Sequence, residues 1–198
     1  MKISALIVVL LLAACTAFAN EIAYHSKNGH FFALIDSSWK ESFEIQKEFE
    51  DAIKTRREHL ATLYFNEVGN YPYLMLKFVK MDRKPTLLDI KKLLTSLKSA
   101  KLQSAQSNEL NKIIKKAGGD SMVSDFSNNV VLNEKERTVT VRTRIYSAQF
   151  DVTMKTVYSF NQKGFLIICY AALSEEYDRY LPESDRFLKS ISYEKDYQ

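Results

Sequence analysis

Toward its C-terminal end the chain alternates strictly between apolar and polar positions. Over residues 137–147, Val139, Val141 and Ile145 fall on one face, and Thr138, Thr140, Arg142 and Arg144 on the other. Successive strand side chains point to opposite faces, so this spacing predicts a half-buried β-strand. A polar link leads into residues 151–160. There Val152, Met154, Tyr158 and Phe160 oppose Thr153, Lys155 and Ser159, and Val157 alone breaks the pattern. Asn161, Gln162, Lys163 and Gly164 read as a hairpin turn, with Gly164 expected to supply a positive φ. The next run, residues 165–171, is apolar on both faces. A strand without a polar face must be covered on both sides, which predicts a central position under helices. Ser174 is a candidate N-cap for a helical turn to Leu181. Pro182 is expected to break or restart that helix, and Phe187, Leu188 and Ile191 continue an apolar stripe.

Upstream, residues 20–29 read as a polar, flexible lead, and 30–35 as a first strand stopped by Asp36, Ser37 and Ser38 ahead of Trp39. Residues 44–60 are dense in charge, with Ile45, Phe49, Ala52, Ile53 and Leu60 near helical spacing; a helix and a strand with a loop both fit. Residues 61–68 and 73–80 predict two strands, joined by the turn Gly69, Asn70, Tyr71, Pro72. Thr86 is the N-cap of a helix carrying Leu87, Ile90, Leu94 and Leu97 on one face, with Asp89 placed to favour its positive end. A second helix is expected from Ser107, with Leu110, Ile113, Ile114 and Ala117 inward, ended by Gly118 and Gly119. Residues 130–132 and a turn at 133–135 lead back to the alternating strands. The sum is an α+β protein: a mainly antiparallel, twisted sheet with helices packed on its faces. It is expected as one domain over 30–193 followed by a tail, 194–198.

The N-terminus is of another kind. Lys2 precedes an apolar run that ends in Ala17, Phe18 and Ala19. A short positive start, an apolar stretch short for a bilayer span and small residues before a cut predict a secretory signal peptide over 1–19, cleaved between Ala19 and Asn20. The same stretch contains Leu12, Ala13, Ala14 and Cys15, a bacterial lipobox pattern in which Cys15 is acylated and becomes the first mature residue. Both patterns are complete. They place the protein either free in the periplasm or secreted, or held to a membrane through Cys15. No later stretch approaches a membrane span, so membrane contact is expected only through such an anchor or at the surface.

The order of elements resembles the PsbP/Mog1/DcrB type of α/β/α sandwich. The resemblance is carried by the strand from Phe31 to Ile35 with Trp39 after it, by the middle helices and, most tellingly, by the ending. That ending is the 165–171 strand, then Ser174, Glu175, Glu176 and Tyr177, Leu181 and Pro182, and Phe187, Leu188, Lys189, Ser190 and Ile191. It spans most of residues 30–193. Members of this superfamily are largely non-catalytic, comprising envelope lipoproteins, photosystem extrinsic subunits and binders of small GTPases, so the resemblance implies a binding or assembly role. The sequence departs from the photosynthetic members in lacking a matching metal-site pattern.

Composition narrows the function classes. The net charge of +4, from 28 basic and 24 acidic residues spread along the chain, is too mild and dispersed to suggest nucleic acid. His25, His30 and His59 have no metal-ligand spacing among themselves or with cysteine, and solvated or hydrogen-bonding roles are expected. Cys169, in an apolar strand, reads as a buried, inert thiol. There is no Gly-x-Ser-x-Gly, phosphate-binding glycine loop or Ser-x-x-Lys, and no cofactor or metal is expected.

One constellation stands out. Arg142, Arg144 and Lys155 are placed to share a sheet face, within about 5–8 Å on neighbouring antiparallel strands, as a candidate anion patch; ion pairs to covering helices are the alternative. Lys91, Lys92, Lys112, Lys115 and Lys116 would form the wet side of the middle helices or lie against anionic lipid. The expected function is a non-enzymatic exported bacterial protein, a binding or assembly factor for a protein partner in the cell envelope. The alternatives are an enzyme with an unfamiliar site and an anion or lipid-headgroup binder.

Overall fold

The computed structural model describes residues 21–41, 59–65, 71–99, 108, 123–125, 130–146 and 151–198. Their elements are, in order, β1 (Glu21–Ser26), β2 (Phe31–Asp36), β3 (Trp39–Glu41), β4 (His59–Phe65), β5 (Tyr73–Lys80), α1 (Leu87–Leu97), β6 (Val123–Asp125) and β7 (Val130–Asn133). There follow β8 (Thr138–Tyr146), β9 (Asp151–Phe160), β10 (Gly164–Leu173), α2 (Tyr177–Ser190), β11 (Ser192–Tyr193) and a single 3₁₀ turn, Lys195–Tyr197. Of residues 44–60, for which a helix and a strand with a loop both fit, only 59–60 are described, as the start of β4. The helix expected from Ser107, apart from residue 108, the signal segment with Cys15, Ala19 and Asn20, and the link before β9 lie outside the described residues.

The apolar run predicted to be central is central. Strand β10 pairs antiparallel with β5 on one side and β9 on the other, inside a sheet ordered β3-β4-β5-β10-β9-β8. Both β6 and β7 pair with the outer side of β8. One face of β10 presents Leu166, Ile168, Tyr170 and Ala172, which pack with Leu74, Leu76 and Phe78 of β5 against α2 and β2. On the opposite face Val139, Val141 and Phe160 pack against Ile90 and Leu97 of α1. The architecture is therefore the mainly antiparallel α+β sandwich expected from the sequence.

Helix α1 begins as expected. Thr86 accepts from the Asp89 N–H while the Asp89 carboxylate accepts from the Thr86 N–H, a closed capping box. Arg83 grips the same carboxylate with two hydrogen bonds, at 2.7 and 2.8 Å, and together these contacts hold it well below the usual carboxylate range.

Helix α2 departs from expectation. It runs unbroken through Pro182, and its N-cap position is Glu176, without a side-chain cap. Proline there removes the N–H that would bond to Asp178, yet Tyr177, Tyr180, Ser184 and Phe187 form one buried stripe that pins both halves to the sheet. Ser174 caps nothing; its hydroxyl bonds to Asp151 and Thr153 on β9. Gly164 likewise serves a different purpose from the one expected. Its φ lies outside the left-handed region, and glycine is required because a Cβ would come within 2.0 Å of the Val79 carbonyl oxygen on β5.

The termini hold more structure than their polarity suggests. Residues 20–29, expected as a flexible lead, contain β1, which pairs with β2 from Glu21↔Asp36 to Ser26↔Phe31. Strand β2 also pairs with β11, giving a second sheet of three strands beside α2. Beyond β11 the edge of β2 is finished by Ser190 at the end of α2, whose hydroxyl accepts from the Leu34 N–H at 2.7 Å. The expected tail at 194–198 is tied to the first hairpin. Glu194 bonds His25 and His30, each at 3.0 Å, and Tyr197 stacks on His30 at 4.0 Å. The two imidazoles, His25 first, hold the Glu194 carboxyl below its ordinary value.

Phe187 is 2% exposed and meets Phe31 edge-on, joining α2 to β2. Phe187→Ala should lower stability by about 3–5 kcal/mol in urea denaturation. Leu88→Ala, at a position 61% exposed on α1, should stay within about 0.5 kcal/mol.

Candidate functional site

Helix α2 covers only part of the sheet face on which it lies. Its buried stripe packs on β10 and against β2, and beyond it the same face of β9 and β8 lies beside a groove of ≈ 570 Å³. Val157, Ile168, Leu188 and Ile191 supply apolar lining, and Thr138, Thr140, Ser159 and Tyr193 supply hydroxyls. Val157 and Ile168 are buried, so they form the floor, while Leu188, Ile191, Thr138 and Thr140 are half-buried at its sides. Val157, the residue that broke the alternation of its strand, forms part of this apolar floor. Tyr193 donates to the Ser159 hydroxyl at 2.9 Å, and burial pushes its phenol up to about 12, so it stays a donor at neutral pH.

The register brings the predicted basic residues together. Arg142 stands directly opposite Lys155, and Arg144 lies two residues along on the same face. Each has a neighbour that neutralises or covers it. Lys155 reaches across the groove to Asp185 of α2, with the lysine side chain 21% exposed. Arg144 bonds both oxygens of Asp151, and the Arg142 guanidinium lies 4.7 Å over the Tyr177 ring. The paired hydrogen bonds from Arg144, with a further one from Ser174, hold the Asp151 carboxyl down at about 2. An anion approaching this face therefore competes with Asp151 and Asp185 for the cations.

Cys169 faces the α1 side of β10 and is buried, and burial pushes its thiol up to about 11. At neutral pH it is a thiol rather than a thiolate, unsuited to attack. His25 and His30 are engaged with Glu194, and the side chain of His59 lies outside the described residues. Among the described residues no group of three or more histidine, cysteine, aspartate or glutamate side chains is placed to hold a metal ion. Among those same residues no helix is long and apolar enough to cross a membrane. The groove offers an apolar floor that can seat side chains and hydroxyls that both donate and accept.

A layered antiparallel sheet with helices on its faces is a sandwich fold, and solved structures of similar fold are known. The solution structure of cyanobacterial PsbP (CyanoP) from Synechocystis sp. PCC 6803 superposes with a TM-score of 0.54, covering 89% of this chain and 94% of its own at 11% identity. LpqN, involved in cell envelope biogenesis of Mycobacterium tuberculosis, covers 87% of this chain and 89% of its own at 10% identity, with a TM-score of 0.44. No family model matches the sequence, and no curated protein matches it. The likeness to CyanoP shows the fold: this chain has the PsbP-like sandwich that its element order resembles.

The Asp151 contacts give a pH prediction. A carboxyl whose folded pKa, about 2, lies below its unfolded value near 4 stabilises the fold above pH 4 and loses that contribution as pH falls through 2. Asp151→Asn should therefore be less stable than the parent at pH 7, with the difference shrinking between pH 4 and 2 in urea denaturation. A difference unchanged over that range would contradict the assignment.

Proposed function

We propose that this chain is a non-enzymatic exported protein of the bacterial envelope that binds a protein partner through the groove between α2 and the β8–β9 face. The observation that carries the reading is that groove, with its buried apolar floor and half-buried threonines beside a helix that stops short of covering the sheet. Side chains of a docking segment would seat against Val157, Ile168 and Leu188, while Thr138 and Thr140 meet its backbone polar groups. Binding rather than catalysis is supported by the carboxylate-bound state of Lys155 and Arg144 and by the buried thiol of Cys169. The signal-peptide pattern at 1–19 supports the export part of this reading, and the lipobox pattern at Cys15 supports the envelope part.

The reading is tested by a photoreactive residue introduced at Thr140 and, as a control, at the exposed Lys98 next to α1. In the envelope of the source cells the Thr140 position should yield one discrete crosslinked product that the Lys98 position does not. Filling the groove with Thr138→Trp should reduce that product about tenfold, the equivalent of roughly 1.4 kcal/mol. Equal crosslinking from both positions, or a product indifferent to Thr138→Trp, would remove the groove as the binding site.

A further inference from the structure

The first hairpin carries apolar residues on the wrong side for a hairpin bathed only in water. Strand β2 alternates, burying Phe31, Ala33 and Ile35, and its outward positions are Phe32 and Leu34, each 46% exposed. An outward sheet face that meets water ordinarily carries polar residues. The register sets Leu34 opposite Ala23 and Phe32 opposite His25, whose ring stacks on Phe32 at 4.2 Å. Ile22, 51% exposed at the open end, stands opposite the buried Ile35 and so lies on the other face of the hairpin. The outward apolar surface is thus Phe32 and Leu34, with Leu34 two residues from the open end where the chain arrives from its N-terminal segment.

The length of that segment bounds how far the surface can lie from Cys15. Cys15 precedes Glu21 by six residues, and an extended chain spans at most about 3.6 Å per residue, hence about 21 Å. A Cys15 whose acyl chains are inserted in a bilayer therefore keeps the open end of the hairpin within about that distance of the headgroups. Tethering at this range raises the local concentration of lipid at the apolar face enough for a small patch to stay engaged. We infer that the outward face of the β1–β2 hairpin, with Phe32 and Leu34 at its centre, rests on the lipid bilayer to which Cys15 anchors the protein. The inference rests on the lipobox reading of Cys15. Glu21 and Asp36 face each other at the open end of the hairpin, so the contact favours zwitterionic over anionic lipid.

The experiment uses acylated protein purified from its own membranes and reconstituted into phosphatidylcholine vesicles containing brominated lipid, with intact mass recorded first. The native Trp39 is buried, 5% exposed, and gives a constant background. Phe32→Trp should show blue-shifted emission and at least threefold more quenching by brominated lipid than Val131→Trp, whose position on β7 is 60% exposed. Equal quenching of the two variants in protein that carries acyl mass would overturn the bilayer contact while leaving the anchor in place. A mature chain that begins at Asn20 without acyl mass would remove the anchor and the inference with it. Concentration-dependent dimerisation of the unacylated chain, abolished by Phe32→Ser with Leu34→Ser, would assign the face to a second copy and overturn the bilayer contact.

Discussion

Covering both faces of β10 dictates the layering of the molecule. Leu166, Ile168, Tyr170 and Ala172 demand one apolar layer, and Phe165, Cys169 and Ala171 demand another. Burying a side chain such as Leu166 or Ile168 contributes about 1.5–3 kcal/mol, so leaving either face open would forfeit much of a small protein's stability. The first face is closed by α2 and the three-stranded sheet, and α1 packs on the second over Val139 and Phe160. Because α2 must sit on β10, it cannot also cover β8. The groove is a consequence of that placement.

The parts of the fold legible in the sequence were those with strong periodicity. The alternation of β8, the two-faced apolar run of β10 and the Thr86–Asp89 cap each announce one local structure, and each is found. Elements held by distant partners were not legible. Glu21–Ser26 looks like a polar lead because half of its residues face solvent, and it becomes a strand only by pairing with β2. Pro182 reads as a helix break because local rules know nothing of the Tyr177–Phe187 stripe that holds the helix down. Gly164 offered a turn residue to the sequence and a close strand approach to the structure.

The candidate site divides in the same way. Alternation placed Arg142, Arg144 and Lys155 on one face, as the register does, but their partners come from elsewhere. Asp185 lies 30 residues from Lys155, and Asp151 is across a strand pair from Arg144. The groove was not read from the sequence, although one residue carried a signal that could have found it. Val157 is the apolar exception on an otherwise polar strand face, and an exception of that kind marks where something packs over part of a sheet. The hydroxyls around it were visible as polar positions, and only the fold shows that they line one cleft with Leu188 and Tyr193.

The claim that the molecule is organised around a doubly covered β10 is tested most directly by native-state hydrogen exchange of its backbone amides. The account predicts that amides of β10 bonded to β5 and β9 exchange only through global unfolding, with a free energy matching that from urea denaturation. Amides at the open end of the β1–β2 hairpin should exchange through local opening at lower cost. If β10 exchanged as readily as that hairpin, the two-layer cover would not be the organising constraint, and the position of α2 and of the groove beside it would need another cause.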